Sequence, residues 1–386
     1  MALRALARVN LAAIERNVVS LRGRLDGGAQ LCAVVKADAS GHGAVPVARA
    51  ALAGGASMLA VATAGEAAEL RAAGLTAPLL VLGAISSEEL PVVLAAGAEV
   101  VAFNERFVEQ LAAASSAASG DRPVDVHIKL DSGMGRLGTR DAEEAFAVAA
   151  AVSERAPGLR LAGAMTHLAT ADGDLDFAAA QLAVFSPFAT ELQRRFGRLR
   201  IHAANSAATL RVPASHFDMV RCGIALYGCD PMNEDPDSTG LEQAMELSSY
   251  VAAVKRAEAG DSVGYGRRFI AQRPTWIATM PIGYADGVRR GLTNDCDVLI
   301  DGHRYPLIGT VSMDNITADL GEGAGDSDGE PAVRVGAPAI LIGRSGQERQ
   351  TVEDIARRLG TINHEVLCGI SARVPRQYHR DGMPVR

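Results

Sequence analysis

The sequence predicts an α/β chain, in which a (β/α)8 TIM-type barrel is followed by a mostly antiparallel β domain. In the first two thirds, eight short and nearly continuous apolar runs are each followed by a helical pattern. Continuous apolar strands between helices indicate a parallel sheet covered on both faces, and eight such units close a barrel. The alternative fold is an open doubly wound sheet, but the G-x-G-x-x-G motif typical of that fold does not follow the first strand.

The barrel strands are predicted from these runs, and a helix precedes them. "VNLAAIERNVVSLRGRL" has apolar residues at helical spacing, with Asn10 as its N-cap. The predicted strands are "LCAVV" (31–35), "SMLAVA" (57–62), "LLVLG" (79–83), "EVVAF" (99–103), "DVHIKL" (125–130), "LAGAMT" (161–166), "RIHAAN" (200–205) and "MVRCGIALYG" (219–228).

The pattern changes near residue 232, which predicts a barrel domain over 1–232 and a β-rich domain over 233–386. Apolar runs such as "WIATMPIGYADG" and "APAILIGR" then alternate and are bounded by turn residues, which is typical of antiparallel strands. The first few residues are candidates to pair with this second domain. One helix is expected from Thr351 to Gly360, an exposed loop at 233–240 and a hairpin tip at 321–331.

Composition excludes several classes of function. The net charge of −7 over 386 residues argues against a nucleic-acid partner, and no apolar run reaches the length of a membrane span. The start lacks the pattern of a secretory signal, so we expect a cytoplasmic protein. Five cysteines without C-x-x-C spacing suit reduced thiols, and eight scattered histidines do not predict a metal site.

Polar and cationic residues follow several barrel strands at their carboxyl ends, where barrel enzymes place their sites. Each residue alone has an ordinary explanation: a lysine at the surface, a histidine satisfied in the core, or Arg136 paired with Asp131. Their convergence on one rim instead favours an active site. The residues are Lys36, Lys129, Asp131, Arg136, His167, His202, Asn205, Ser206, Arg221, Gly223 and Ile224.

These residue types together indicate pyridoxal phosphate. A lysine amine forms a Schiff base with a carbonyl, and the backbone N–H groups of "NSAA" and "CGIA" can hold a phosphate with the Ser206 hydroxyl. Arg221 would be the partner of the pyridine nitrogen. Because arginine keeps its proton, it only donates a hydrogen bond, so the ring is a weak electron sink and the chemistry stays a simple proton transfer.

The chain resembles the alanine racemase family nearly end to end. The motifs that carry the resemblance are "AVVKADASGHG", "HIKLDSGMGRLG", "THLATAD", "HAANSAA", "VRCGIALYG", "GYGRRF", "PIGYADG", "SMDN" and "ISARVPR". The resemblance implies a pyridoxal-phosphate-dependent homodimer with shared active sites. It also implies racemisation of L-alanine and D-alanine by two-base proton transfer through a Schiff-base intermediate, and D-alanine supply for peptidoglycan precursors.

The resemblance also implies roles for single residues. Lys36 is similar to the Schiff-base lysine, which is also one base, and Tyr265 to the opposing base, supplied across the dimer interface. Lys129 matches a lysine that is carbamylated in many members and then orients Arg136. The residues similar to cofactor contacts are Arg136, His167, His202, Asn205, Ser206, Arg221, Gly223 and Ile224; those at the substrate are Arg136, Met313 and Asp314; those at the substrate entrance are Tyr284 and Ala372.

The sequence departs from the family at two positions. Ser40 and Ala372 stand where the family usually has tyrosines that reach the cofactor phosphate or its surroundings. We expect weaker cofactor retention, or a pocket that admits side chains larger than methyl. Three alternatives stay open: a broader-specificity or serine-type racemase, a non-enzymatic pyridoxal-phosphate homeostasis protein, which would resemble the barrel alone, and a decarboxylase, which would favour a carboxylate where Arg221 stands.

Overall fold

The computed structural model describes residues 3–117, 122–156, 158–322 and 332–385. They form two compact units, Ile14–Leu226 and the combination of Met1–Ala13 with Tyr227–Arg386. The domain boundary placed after residue 232 stays a prediction, which limited proteolysis would test.

The secondary structure is numbered along the chain. The strands are β1 (Leu6–Asn10), β2 (Gln30–Val34), β3 (Met58–Val61), β4 (Leu79–Val81), β5 (Glu99–Ala102), β6 (Val124–Lys129), β7 (Leu159–Met165), β8 (Arg200–His202), β9 (Met219–Cys222), β10 (Met245–Tyr250), β11 (Ala253–Ala257), β12 (Ser262–Val263), β13 (Phe269–Ile270), β14 (Thr275–Met280), β15 (Asp297–Ile300), β16 (His303–Ile308), β17 (Ile316–Gly321), β18 (Pro338–Ser345), β19 (Glu348–Gln350), β20 (Arg376–Arg380) and β21 (Met383–Pro384). The helices are α1 (Leu11–Arg22), α2 (Lys36–Gly41), α3 (Ala44–Ala53), α4 (Ala64–Ala72), α5 (Leu90–Ala95), α6 (Glu105–Ala117), α7 (Ala142–Arg155), α8 (Leu175–Phe196), α9 (Ser206–Arg211), α10 (Val352–Leu359) and α11 (Asn363–Cys368).

Strands β2 to β9 form a parallel barrel, which confirms the predicted fold class. Their order is β8-β7-β6-β5-β4-β3-β2-β9. The two outer strands also meet, because the N–H groups of Asp218 and Arg221 each donate over 3.0 Å to the carbonyls of Ile201 and Ala204. The sheet is therefore nearly closed, and the carboxyl ends of all eight strands lie at one rim.

Capping side chains fix where the barrel helices begin. Asn10 accepts the N–H of Ala12 at 3.1 Å, as predicted for the start of α1. Thr63 and Glu66 form a capping box at the start of α4, in which each side chain accepts a backbone N–H of the other residue. These caps hold the loops at the ends of the strands.

The second unit contains an eleven-stranded sheet in the order β11-β14-β17-β16-β15-β18-β10-β1-β20-β21, with β19 paired to β18. Neighbouring strands are antiparallel except for β1 and β20, which are parallel. Strand β1 lies between β10 and β20, so the first residues of the chain do pair with the β-rich part.

Two expectations for the second unit need correction. Helix α10 begins after Thr351 and ends at Gly360 as predicted, but the short helix α11 was missed because six residues are too few to show a helical period. In the loop 233–240, Pro236 and Thr239 are buried in a 3₁₀ turn instead of exposed. The predicted hairpin tip lies outside the described residues from residue 323 onward.

Candidate active site

Lys36 stands at the carboxyl end of β2, at the start of an unusual turn. Its side chain is exposed, whereas Val35 before it is fully buried. The next four residues, 37–40, have φ values between 51° and 53°, so the turn is left-handed. This conformation costs L-amino acids roughly 1–2 kcal/mol per residue. The turn therefore persists only because neighbouring groups hold it.

Two carboxylates hold the turn after Lys36. Asp38 accepts the N–H of Ala44 at 2.7 Å, which fixes the start of α3. Glu66, the capping residue of α4, accepts the N–H of Ala37 through Oε1 at 2.6 Å. Sequence reasoning did not single out Glu66, although the "TAGE" pattern is a recognisable capping box.

Arg221 lies buried on β9 and donates hydrogen bonds to imidazole nitrogens and backbone carbonyl oxygens. Its Nη1 group donates to Nδ1 of His202 at 2.8 Å. Its Nη2 group donates to the carbonyls of Thr166 and Ala203 at 2.9 and 3.0 Å, and to Nδ1 of His167 at 3.2 Å. Among the described residues, none of its hydrogen bonds uses Nε–H, which stays available to donate.

A chain of buried side chains continues behind His202. Its Nε2 lies 2.8 Å from Nδ1 of His127, and Nε2 of His127 lies 2.7 Å from the Glu99 carboxylate. Arg200 also donates to Glu99, over 3.1 Å. Sequence reasoning missed His127 and Glu99, because Glu99 begins β5 and so lies at the opposite end of the barrel strands from the predicted rim.

Lys129 ends β6 and is almost fully buried, at 3% exposure. Burial and, after it, the charges of Arg221, Arg136 and Lys36 together lower the pKa of its amine to about 8, while the charge of Asp131 opposes the shift. The pKa of His167 lies well below its ordinary value for the same reasons, burial first and then these cations. The structure thus brings the predicted cations together at one rim of the barrel.

The loop after Lys129 is organised by Asp131. Its carboxylate accepts the N–H groups of Gly133 and Gly135 at 3.1 and 3.0 Å and pairs with Arg140 at 3.3 Å. Within the described ranges no hydrogen bond joins Asp131 to Arg136. The ordinary explanation of Arg136 as a partner of Asp131 is therefore wrong, and its exposed guanidinium can meet an anionic ligand.

The loops after β8 and β9 are joined through Ser206. Its Oγ accepts the N–H groups of Gly223 at 2.9 Å and Ala225 at 3.4 Å. The hydroxyl hydrogen of Ser206 therefore stays free to donate to an anion. Asn205 shapes this corner by capping α9 at the N–H of Ala208, 2.9 Å away.

The second unit carries its predicted site residues at an exposed surface. Tyr265 is 75% exposed, and its carbonyl accepts the Thr310 hydroxyl at 2.6 Å. Met313, three residues beyond Thr310, and Tyr284 are also exposed. The N–H of Tyr284 donates to the Ser312 carbonyl at 3.0 Å, so "PIGYADG" and "SMDN" lie side by side.

The remaining predicted residues of this unit lie in the same region. Asp314 forms an ion pair with Arg373 at 2.7 Å, and Ala372 beside it is exposed. The Ser371 hydroxyl donates to the Ala285 carbonyl at 2.7 Å, which ties "ISARVPR" to the turn of Tyr284.

The rim of the barrel fits pyridoxal phosphate. Its cations suit a phosphate and a phenolate, the Ser206 hydroxyl is free to donate, and Arg221 has an unused N–H for a ring nitrogen. No group of three His, Cys, Asp or Glu side chains within the described ranges is placed to hold a metal ion.

Comparison with known proteins identifies the family. The alanine racemase N-terminal domain matches residues 9–231, and the C-terminal domain matches residues 244–378. Alanine racemase from Geobacillus kaustophilus is 42% identical over 97% of this chain and 94% of its own length. Alanine racemase 1 from Bacillus subtilis is 38% identical over 97% of this chain and 93% of its own length.

Solved structures agree with the sequence matches. Alanine racemase from Streptomyces lavendulae, a producer of D-cycloserine, superposes with a TM-score of 0.91 at 35% identity, covering 98% of both chains. Alanine racemase from Bacillus anthracis with bound L-Ala-P superposes with a TM-score of 0.88 at 36% identity, covering 100% of this chain and 97% of its own. The chain therefore belongs to the alanine racemase family.

Proposed function

We propose that this protein interconverts L-alanine and D-alanine with pyridoxal phosphate as its cofactor. The observation that carries the proposal is the cluster of Lys36, Lys129, Arg136 and buried Arg221 at the carboxyl rim of the barrel. The relatives named alanine racemase match this chain over nearly its full length. The Bacillus anthracis relative has L-Ala-P bound, which supports alanine as the substrate.

Four groups of the barrel would hold the cofactor. Arg221 would donate its Nε–H to the pyridine nitrogen, Arg136 would meet the phenolic oxygen, and Ser206 with the loop of Gly223 and Ile224 would bind the phosphate. When bound, pyridoxal phosphate supplies an electron sink that acidifies the α-hydrogen of the amino acid. Because Arg221 keeps its proton, it orients the ring without charging it, and this restricts the reaction to proton transfer.

Two bases share the proton transfer. The Lys36 amine acts on one face of the α-carbon and the Tyr265 phenol on the other, so neither base has to move past the substrate. We further propose that Tyr265 comes from the second subunit of a homodimer, with Met313 and Asp314 at the substrate carboxylate. The exposure of Tyr265, Tyr284 and Met313 supports an interface at this surface, because large exposed apolar groups mark interaction sites.

We further propose a cellular role for the D-alanine product. D-alanine made by this protein would serve peptidoglycan precursors in the cytoplasm. The five cysteines are free thiols, which suits a reducing compartment. Within the described ranges, every helix is too short or too polar to cross a lipid bilayer.

Chiral analysis of L-alanine incubated with the protein and added pyridoxal phosphate tests the proposed reaction. We expect the wild type to produce D-alanine, and Lys36→Ala and Tyr265→Phe to lose nearly all racemisation. Initial rates on serine, lysine and arginine separate an alanine enzyme from a broader racemase. A wild type that holds the cofactor but racemises none of these amino acids would favour the homeostasis protein and contradict the proposal.

A further inference from the structure

We propose that Glu99 and His127 are positioning residues, which act through His202 to fix the orientation of Arg221. The relay runs from the active-site rim, through the interior of the barrel, to the amino end of β5. The inference rests on the proposed function in one respect only, that Arg221 faces the cofactor.

The contacts of the relay are short and buried. From Arg221 the successive distances are 2.8 Å to His202, 2.8 Å to His127 and 2.7 Å to Glu99. The side chain of His127 is completely buried, and that of Glu99 is 12% exposed. The two imidazole rings meet edge to face, with centroids 4.9 Å apart.

The chemistry of arginine fixes the direction of every hydrogen bond in the relay. A guanidinium has only donors, so Nδ1 of His202 must be the acceptor and its proton sits on Nε2. That N–H donates to Nδ1 of His127, whose own proton then sits on Nε2 and donates to the Glu99 carboxylate. Both histidines are therefore neutral Nε2–H tautomers, and burial together with the Arg221 charge lowers the pKa of His202 well below its ordinary value.

A glycine on β7 provides the space in which the side chains of His127 and His202 meet. Strand β7 lies between β6, which carries His127, and β8, which carries His202. At the crossing point β7 has Gly163, which is paired in register with His127 and Arg200. A Cβ on Gly163 would lie 2.4 Å from Nδ1 of His127, so any other residue there would push the ring out of the relay.

Within the described ranges, the relay is what connects the buried cation of Arg221 to a carboxylate. Burial lowers the pKa of Arg221 to about 10, and within the described part of the chain no carboxylate hydrogen-bonds to it. Glu99 ends the relay as an acceptor and is itself paired with Arg200. Two thiols also lie near the relay, and burial raises the pKa of Cys32 to about 12 and that of Cys222 to about 11, so both stay uncharged.

Loss of the terminal acceptor weakens the preference for these tautomers, because Nε2–H of His127 is left without its acceptor and only the contact with Arg221 still favours them. His127 can then place its proton on Nδ1, which turns Nε2 of His202 into an acceptor and its Nδ1 into a donor. An N–H of His202 would then face an N–H of Arg221, and the guanidinium would tilt away. Glu99→Met removes the acceptor at similar size, whereas Glu99→Gln keeps an oxygen that can accept from His127.

¹⁵N NMR of histidine-labelled holoenzyme, assigned by single histidine replacements, tests the relay directly. In the wild type and Glu99→Gln we expect His127 and His202 with bare Nδ1 and protonated Nε2. In Glu99→Met we expect a mixture of tautomers and an altered visible absorption of the cofactor. We also expect kcat to fall about tenfold or more while KM changes little, as it does when other groups that orient a ligand-binding residue are removed. Asp125→Asn, which removes another barrel carboxylate paired with Arg160, is the control and should match the wild type.

Two results would overturn the relay. One is a wild type in which His202 carries a proton on Nδ1. The other is Glu99→Met with wild-type tautomers and cofactor absorption. The wild-type measurement needs no variant to fold, and it does not depend on turnover. A chain that fails to racemise alanine but shows the expected tautomers would contradict the proposed function and leave the relay supported.

Discussion

Lys129 shows how burial changes the chemistry of a single side chain. With a pKa of about 8, roughly a tenth of its amine is neutral at pH 7, whereas an ordinary lysine is less than a thousandth neutral. Only the neutral amine attacks carbon dioxide. A carbamate would place a negative charge among Lys36, Arg136 and Arg221, and their positive charges would favour this modification.

We therefore predict that Lys129 carries a carbamate. ¹³C NMR of protein equilibrated with ¹³C-bicarbonate should show a carbamate carbon that is absent from Lys129→Ala. At constant dissolved carbon dioxide, the rate of formation should rise as the pH rises through about 8, because the neutral fraction of the amine increases. Lys255→Ala, which removes a lysine on β11 of the second unit, is the control. Equal carbamate signals in all three proteins would contradict the assignment.

Ser40 and Ala372 lead to a second prediction at this scale. Ser40→Tyr with Ala372→Tyr should slow the loss of pyridoxal phosphate during dialysis about thirtyfold, because each of the two phenols adds a hydrogen bond worth ~1 kcal/mol. The double variant should also turn over serine and larger amino acids less well, relative to alanine. The matched double phenylalanine variant restores ring volume without hydroxyls, so it should narrow the substrate range without improving retention. If the tyrosine variant has unchanged cofactor retention and an unchanged substrate range, positions 40 and 372 do not control either property.

Single site residues were predictable where a strand end and a residue type coincided. Lys36 directly follows an apolar run, Lys129 and Arg221 lie within such runs, and the structure brings the three cations to one rim. Glu99 and His127 gave no such signal, because they depend on contacts between strands that are distant in sequence. The Nε2–H tautomers likewise follow from hydrogen bonds that no sequence pattern contains.

At the scale of elements, the turn after Lys36 is the most strained part of the described barrel. Four consecutive left-handed residues, 37–40, replace an ordinary helix start, and Glu66 links the turn to helix α4. The sequence indicated a turn from "SGHG" but not its hand, because three of the four residues at 37–40 are alanine or serine, which rarely adopt a left-handed conformation. Helix α10 was predictable because Thr351 and Gly360 are strong caps.

We predict that Glu66→Ala destabilises the protein by about 1–2 kcal/mol, the usual effect of losing a helix cap, and also lowers racemase activity. The loss of activity should exceed the loss of folded protein, since Ala37 loses its acceptor and the backbone that carries Lys36 is no longer fixed. Denaturant unfolding and initial rates measure the two effects. Glu69→Gln, an exposed change on the same helix, should alter neither. An activity of Glu66→Ala that tracks only its folded fraction would show that Glu66 has no positioning role.

At the scale of the whole molecule, the proposed bases belong to two different units, Lys36 to the barrel and Tyr265 to the β-rich unit. The two-unit architecture was predictable because the period of the apolar pattern changes near residue 232. The subunit that supplies each base was not predictable from periodicity, because a protein interface leaves no regular signal in one sequence. Its assignment rests on the family resemblance.

Mixed dimers test which subunit supplies Tyr265. We predict that co-expressed Lys36→Ala and Tyr265→Phe recover activity, because a mixed dimer has one site with both bases. Random pairing would give about a quarter of the wild-type rate, since half of the dimers are mixed and each has one complete site of two. Neither variant alone should reach this rate. No recovery from a confirmed mixed dimer would place both bases in one subunit.

The central claim, that two bases act on opposite faces of the substrate, is tested most directly by α-hydrogen exchange in D₂O with Tyr265→Phe. L-alanine and D-alanine are incubated separately with the holoenzyme variant, and deuterium in each enantiomer is measured by chiral chromatography and mass spectrometry. We predict that one enantiomer exchanges its α-hydrogen and keeps its configuration, while the other exchanges very slowly, because Lys36 serves one face alone. Rapid exchange of both enantiomers with continued racemisation would contradict the two-base account.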